Sequence, residues 1–253
     1  MKKALICLFL LLGMTSMALT LKVMTYNIRH ARGIDDVVDL QRIIDVVLSE
    51  EPDILILNEV DQGNPRTAGA HQAGEIAEAL GMNLFFGPTE ETSYYGNAVL
   101  SRFEIVQASS VTLPQPKWLN AAKRGAAIVT VDVDGVQVLV VGTHLGLAGI
   151  KEIETELGAI YSIVLESGLP AIVAGDFNVE YFDLDNRMKE VIEDLRSVNH
   201  SLGIDLHTIP SNNPGPQIDY ILASREFLPV NAYTVPSQAS DHLPVVALLE
   251  MER

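Results

Sequence analysis

Aliphatic and β-branched residues gather along this chain in short runs, and several runs close on a single polar residue. Ile54-Leu55-Ile56-Leu57-Asn58 ends in Glu59, Val138-Leu139-Val140-Val141-Gly142-Thr143 in His144, and Pro170-Ala171-Ile172-Val173-Ala174-Gly175 in Asp176. Runs of this kind predict buried strands, which places Glu59, His144 and Asp176 where the chain leaves a sheet. Strand ends are where α/β proteins bind ligands, so these residues predict one shared site. The same pattern marks strands over residues 21–28, 97–101, 126–133, 136–143 and 243–249, and Asp134-Gly135 between two of them is a type I′ hairpin signal. Elsewhere the spacing turns helical. Val37, Leu40, Ile43, Ile44, Val47 and Leu48 predict a helix over residues 36–49, stopped by Pro52-Asp53. A shorter helix covers residues 71–80, and another carries Ile150, Ile153, Leu157, Ile160 and Val164 on one face before Gly168 and Pro170 close it. A last helix is expected over residues 185–195. Tight hairpins together with helical crossovers imply a mixed sheet.

The N-terminus departs from this pattern. Lys2 and Lys3 precede an apolar stretch from Ala4 to Leu12 and then Ser16-Met17-Ala18, the small-x-small arrangement of a cleavable secretory signal peptide. Residues 1–18 are therefore expected to be removed, leaving residues 19–253 as one domain in a secreted or periplasmic protein. A chain of 253 residues that is 48% hydrophobic fills one large core without a second domain. Its single cysteine, Cys7, lies in the leader, so the mature chain has no disulfide. The formal net charge of −16 lacks the basic footprint of tight nucleic-acid binding. A divalent ion and a few arginines can still supply local positive potential.

The candidate chemistry is carried by polar residues that sit awkwardly in apolar surroundings. Gly175-Asp176-Phe177-Asn178 follows its strand directly. Asp219, inside Gln217-Ile218-Asp219-Tyr220-Ile221-Leu222, is costly to bury without a partner, and His242 in Ser240-Asp241-His242 can provide one. These pieces, with Thr25-Tyr26-Asn27-Ile28, Leu57-Asn58-Glu59-Val60, Gly96-Asn97-Ala98-Val99-Leu100-Ser101 and Thr143-His144-Leu145, resemble the endonuclease/exonuclease/phosphatase superfamily in order and rough spacing. One position departs from the pattern: Asn58 stands where many relatives have Gln, which leaves Glu59 intact.

The resemblance implies a four-layer α/β sandwich, with two mixed β-sheets face to face and helices outside, and a Mg²⁺- or Mn²⁺-dependent hydrolase of phosphoester bonds. Glu59, Asp241 and Asn27 become the metal candidates, because hard cations take oxygen ligands. His144, Asp176, Asn178, Asp219 and His242 become the catalytic candidates. In that scheme Asp176 orients or deprotonates the attacking water, Asn178 and His144 donate to phosphate oxygens, and Asp219 holds His242 protonated. Arg124 and Arg29 are the phosphate-binding candidates, since the planar guanidinium fork fits phosphate oxygens, and Arg66 is a further candidate substrate contact. Trp118 is expected to pack back onto the core, and His200 and His207 to lie on the surface. The substrate is a phosphodiester by first expectation, in nucleic acid, phospholipid or a small molecule, and the protein a monomer. The alternatives are an inactive binding protein that keeps the fold and a nuclease subunit of a secreted toxin.

Overall fold

The computed structural model describes residues 19–251. The expected leader, with Cys7, lies outside the described residues. Strands are numbered along the chain. One six-stranded sheet runs in the order β11 (Phe227–Thr234), β12 (Val245–Met251), β1 (Leu19–Asn27), β2 (Ile54–Asp61), β4 (Tyr95–Ser101), β3 (Asn83–Pro88). The other runs β5 (Glu104–Thr112), β6 (Gly125–Val133), β7 (Val136–His144), β8 (Ala171–Asp176), β10 (Asp219–Ala223), β9 (Arg196–Ser197). Each sheet contains a single parallel pair, β1 with β2 and β7 with β8, and its other pairs are antiparallel. Each parallel pair is bridged by a crossover helix: α1 (Leu40–Glu50) between β1 and β2, α3 (Ile150–Ser167) between β7 and β8. Mixed sheets face to face with helices outside match the expected sandwich.

The unbroken apolar runs have a simple cause, since both faces of the central strands are buried. Leu21, Val23, Ile54 and Ile56 meet Val138, Val140, Ile172 and Ala174 in the layer between the sheets. Their neighbours along the same strands face outward. Met24, Tyr26, Leu55 and Leu57 pack with α1 and α2 (Gln72–Leu80), and Leu139, Val141, Ala171 and Val173 pack with α3. At Gly142 a side chain would reach within 3.0 Å of Ile56 and 3.1 Å of Val99, so this glycine lets the sheets approach closely near the ends of β2 and β7.

Some expected elements shift. The first helix starts at Leu40, capped by Asp39, whose carboxylate accepts from Gln41 N at 3.0 Å; Val37 and Val38 stay outside the helix, about half exposed. The helix expected over residues 185–195 is two short ones, α4 (Tyr181–Arg187) and α5 (Lys189–Asp194), interrupted at Met188, which departs from helical geometry. Strands β3, β5 and β11 have no counterpart in the apolar pattern. All three are edge strands; β5 is largely exposed, and β11 carries Pro229 next to a register shift, where an edge tolerates a missing donor. The Asp134-Gly135 turn has positive φ at both residues, as a type I′ hairpin requires.

Candidate active site

The polar strand ends meet at one end of the sandwich. On the first sheet Asn27 pairs in register with Asn58 across the parallel β1–β2 ladder. The β2–β4 register then shifts between Leu57 and Val60, and Glu59 adopts a φ of +57°. A bulge of this kind re-aims a side chain, and a non-glycine residue held at positive φ is a feature of functional sites. The fully buried Asn27 donates its amide to Glu59 Oε1 at 3.2 Å and to Asp176 Oδ2 at 3.0 Å, linking carboxylates that belong to different sheets.

Asn58 makes a second link. Its Nδ2 donates to Asn97 Oδ1 and to the Thr143 carbonyl, both at 2.8 Å, and its Oδ1 accepts from Asp176 N at 3.0 Å. One buried amide therefore joins β2, β4, β7 and β8. The residue that departs from the family pattern is the one that positions the backbone of Asp176. Gly175 makes this possible: its φ is +147°, and a Cβ there would lie 1.7 Å from the Thr143 carbonyl oxygen.

On the second sheet His144, Asp176 and Asp219 lie side by side in register across β7, β8 and β10. Asp176 is 2% exposed, with Oδ1 accepting from Asn178 N at 3.0 Å. Burial, and then repulsion from Asp219, push its carboxyl well above the ordinary range, against the opposing pull of His242 and its hydrogen bonds. Asn178, at φ +53°, commits one amide hydrogen to the Leu145 carbonyl at 2.9 Å.

The two histidines here are equally buried, yet their protonation differs. His242 Nδ1 is 2.9 Å from Asp219 Oδ2 and its Nε2 is 3.7 Å from Asp176 Oδ2. Burial disfavours its charge, but Asp219, Asp176 and Asp241 together outweigh that and lift it to about 10, so the imidazolium persists at neutral pH. His144 is held well below its usual range by burial and by the charges of Arg124 and His242. Arg124 Nη1 lies 3.4 Å from His144 Nδ1; a guanidinium can only donate, so Nδ1 accepts and Nε2 keeps its hydrogen, facing Asp176 Oδ2 at 3.4 Å.

Among the described residues, one trio of metal-capable side chains has its ligand atoms within 4.8 Å of one another: Asp176, Asp219 and His242. Asp219 Oδ2 is already bonded to His242 Nδ1 and Asp176 Oδ2 to Asn27, while Asp219 Oδ1 is buried without a hydrogen-bond partner; a charged imidazole has no lone pair for a metal, so the trio reads as a proton-holding network. Glu59 fits a divalent cation better. It is a hard oxygen donor, half-buried, bonded through Oε1 to Asn27 and lining an open cavity. Asp241 is engaged elsewhere: Oδ2 pairs with Arg29 Nε at 3.4 Å and Oδ1 accepts from Ser240 Oγ at 3.3 Å. Arg29 also approaches Asp36 at 3.7 Å, so a metal candidate and a phosphate candidate are paired with one another. Arg124 differs: it is 8% exposed, and no carboxylate lies within ion-pair distance of it among the described residues.

Two expectations about the periphery are corrected. Trp118 is 68% exposed, because its loop is anchored by Gln115, which donates to the Ala121 and Ala122 carbonyls and to Glu152, and not by the indole. His200 is half-buried, stacked on Tyr181 at 3.5 Å and bonded to Ser197 Oγ at 2.9 Å, whereas His207 is exposed as expected. The sequence reading assigned no role to Asn97, Tyr95 or the wholly buried Glu152 and Glu156. An Asn behind a glycine and a Glu pair four residues apart on an amphipathic helix look ordinary until their partners are known.

These features define an α/β sandwich whose strand ends assemble a site suited to phosphoryl transfer. A profile of the Endonuclease/Exonuclease/phosphatase family matches residues 24–242, and the chain belongs to this family, whose members hydrolyse phosphoester bonds. Among solved structures it is similar to an endonuclease/exonuclease/phosphatase from Beutenbergia cavernae, with 27% identity, a TM-score of 0.72, and coverage of 92% of this chain and 72% of that one. A family protein from Bacteroides thetaiotaomicron gives 22% identity and a TM-score of 0.78, covering 94% of this chain and all of that one. A mannosyl-6-phosphatase from the same organism gives 23% identity and a TM-score of 0.75, covering 90% and 99%. No curated protein sequence matches the chain significantly.

Proposed function

We propose that this protein is an exported, divalent-metal-dependent phosphoester hydrolase in which water attacks phosphorus directly. The observation that carries the reading is the Asn27 amide, bonded at once to Glu59 and to Asp176. It brings an open carboxylate suited to a cation beside a buried carboxylate suited to a proton. Glu59, with Asn27 behind it, would hold the ion, which when bound supplies charge neutralisation to phosphoryl oxygens. Asp176 orients the water and takes its proton; burial and the Asp219 charge raise its basicity for that task. His242, kept charged by Asp219, donates to the oxygens that gain charge as the water attacks. His144 and Arg124 complete the donor set, and Arg124 meets an anion that the protein itself does not provide. The leader pattern of residues 1–18 supports export.

A phosphodiester is the first substrate class to test, and a phosphomonoester, the kind of bond the mannosyl-6-phosphatase neighbour is named for, is the second. The assay is hydrolysis of bis-p-nitrophenyl phosphate and p-nitrophenyl phosphate by residues 19–253 with Mg²⁺, Mn²⁺ or EDTA. Metal-dependent turnover lost in Asp176→Asn is expected. A folded protein inert toward both esters with either metal would sink the reading and favour a binding protein that keeps the fold.

A further inference from the structure

Beside Glu59 the surface opens into a cavity of about 470 Å³, a size usual for small-molecule sites. Its lining is informative. Arg66, Lys123 and Arg124 supply cationic donors, and Glu59 and Glu90 supply anionic acceptors. Asn64, Thr89 and Tyr95 add neutral polar groups, and Ala122 is the one aliphatic residue in the wall.

Arg66 is held in place within this wall. Its Nε and Nη2 each donate to the Asp61 carboxylate at 2.7 Å, and Asp61, wholly buried, also accepts from Asn64 Nδ2 and Thr67 Oγ1 at 3.2 Å. The guanidinium lies over the Tyr95 ring, 5.4 Å from its centroid. Asp61 and Tyr95 thus fix the orientation of the fork, and Nη1 has no hydrogen bond to an acceptor among the described residues.

We propose that this cavity binds the leaving group of the phosphoester, that the leaving group is a small polyol such as a sugar or cyclitol, and that Arg66 is the residue that selects it. The inference rests on the hydrolase reading for the word "leaving" but not for the binding itself. An acyl chain would meet a wall whose exposed surface is more polar than apolar and which carries five charged side chains that it cannot satisfy. A nucleobase would want an open aromatic face, and the Tyr95 face is taken by Arg66. A second phosphate needs donors only, and it would leave the Glu90 carboxylate of the wall unsatisfied and be repelled by it. Hydroxyl groups both donate and accept, and a wall that mixes fixed donors with carboxylate acceptors satisfies them.

Calorimetric titration in the Asp176→Asn background reads binding without turnover. Inorganic phosphate, glucose 6-phosphate, mannose 6-phosphate, myo-inositol 1-phosphate, dodecyl phosphate and deoxyadenosine 5′-monophosphate are compared in the presence of Mg²⁺. At least one polyol phosphate should bind about 10-fold or more tightly than inorganic phosphate, as one or two charge-assisted hydrogen bonds allow. Arg66→Ala should abolish that gain and leave the affinity for inorganic phosphate within about twofold. Because this variant strands the buried Asp61, Glu90→Gln at an exposed position provides a second test, with an expected loss of roughly 3-fold or more for the polyol phosphate alone. A gain that survives both substitutions, no gain for any polyol phosphate, or a larger gain for the dodecyl ester or the nucleotide would each overturn the inference. Turnover of p-nitrophenyl phosphate without polyol selectivity would sink this inference alone; polyol binding without turnover of any ester by the unsubstituted chain would sink the hydrolase reading alone.

Discussion

The site is assembled from two parallel strand pairs that are alike in topology and unlike in chemistry. β1–β2 and β7–β8 each consist of neighbouring parallel strands joined by a crossover helix, and each ends in polar residues at the same end of the sandwich. At the end of the first pair β2 shifts register against its other neighbour, β4, leaving Glu59 half-buried beside a cavity. The second pair keeps its register through His144 and Asp176 and buries both side chains. The contrast shows how one arrangement of strands serves two tasks. A ligand for a cation needs access and a low cost of ionisation, whereas a base needs burial to raise its proton affinity. The bulge separates the two outcomes.

Substitutions at the two strand ends should fail in different ways. Asp176→Asn keeps the hydrogen-bonding shape but removes the base, and kcat should fall by roughly 10³-fold or more, since general-base contributions run to about 10²–10⁴. Added metal should not restore it. Glu59→Gln should lower activity at limiting Mg²⁺ by about 10–100-fold and recover part of it as Mg²⁺ is raised, because the metal's affinity and not the proton transfer has been changed. Metal titrations of the two variants check the contrast. Recovery of Asp176→Asn at high metal, or no recovery of Glu59→Gln, would reverse the assignment of tasks.

The link between the halves can be cut separately. Asn58→Ala strands the Asp176 N–H and the Thr143 carbonyl, both buried, at a cost of about 2–6 kcal/mol, given about 1–3 kcal/mol for each unsatisfied group. Thermal unfolding should show this as a lowered Tm, and kcat should fall as well, since Asp176 loses its backbone anchor. A loss of stability with unchanged kcat would mean that Asn58 holds the sheets together without positioning the base.

How much of this was legible in the sequence follows from which residues act alone and which act in pairs. The central strands could be read because burial on both faces leaves unbroken apolar runs. Edge strands such as β5, with most side chains in water, leave no such trace. Glu59, Asp176 and Asp219 stood out because a carboxylate ending or interrupting an apolar run needs an explanation. The role of Asn58 depends on Asn97, Thr143 and Asp176, which are distant in the chain, and no local pattern announces it. The same applies to Arg66, whose fixed orientation depends on Tyr95 as well as on its sequence neighbour Asp61.

The smallest expected effect concerns the loop that follows His144. Glu156, wholly buried on α3, accepts from Gly146 N at 2.7 Å through Oε2, while its Oε1 has no partner. Burial is the main cause that raises its carboxyl to about 7, with the neighbouring Glu152 adding to it, and the Gly146 bond and Arg124 opposing. In the unfolded chain the group titrates near 4.5, so between that value and about 7 the folded state binds more protons than the unfolded one. Stability from this group is therefore full at low pH, falls as pH rises through that window, and is level above it. Glu156→Gln can keep the bond to Gly146 while removing the titration. Relative to the unsubstituted protein it should gain on the order of 1–2 kcal/mol between pH 5 and pH 8, read from denaturant unfolding at both values. Parallel stability profiles for the two proteins would show that Glu156 ionises freely in the fold, and that the loop carrying Leu145 and Gly146 does not depend on a protonated carboxyl beneath it.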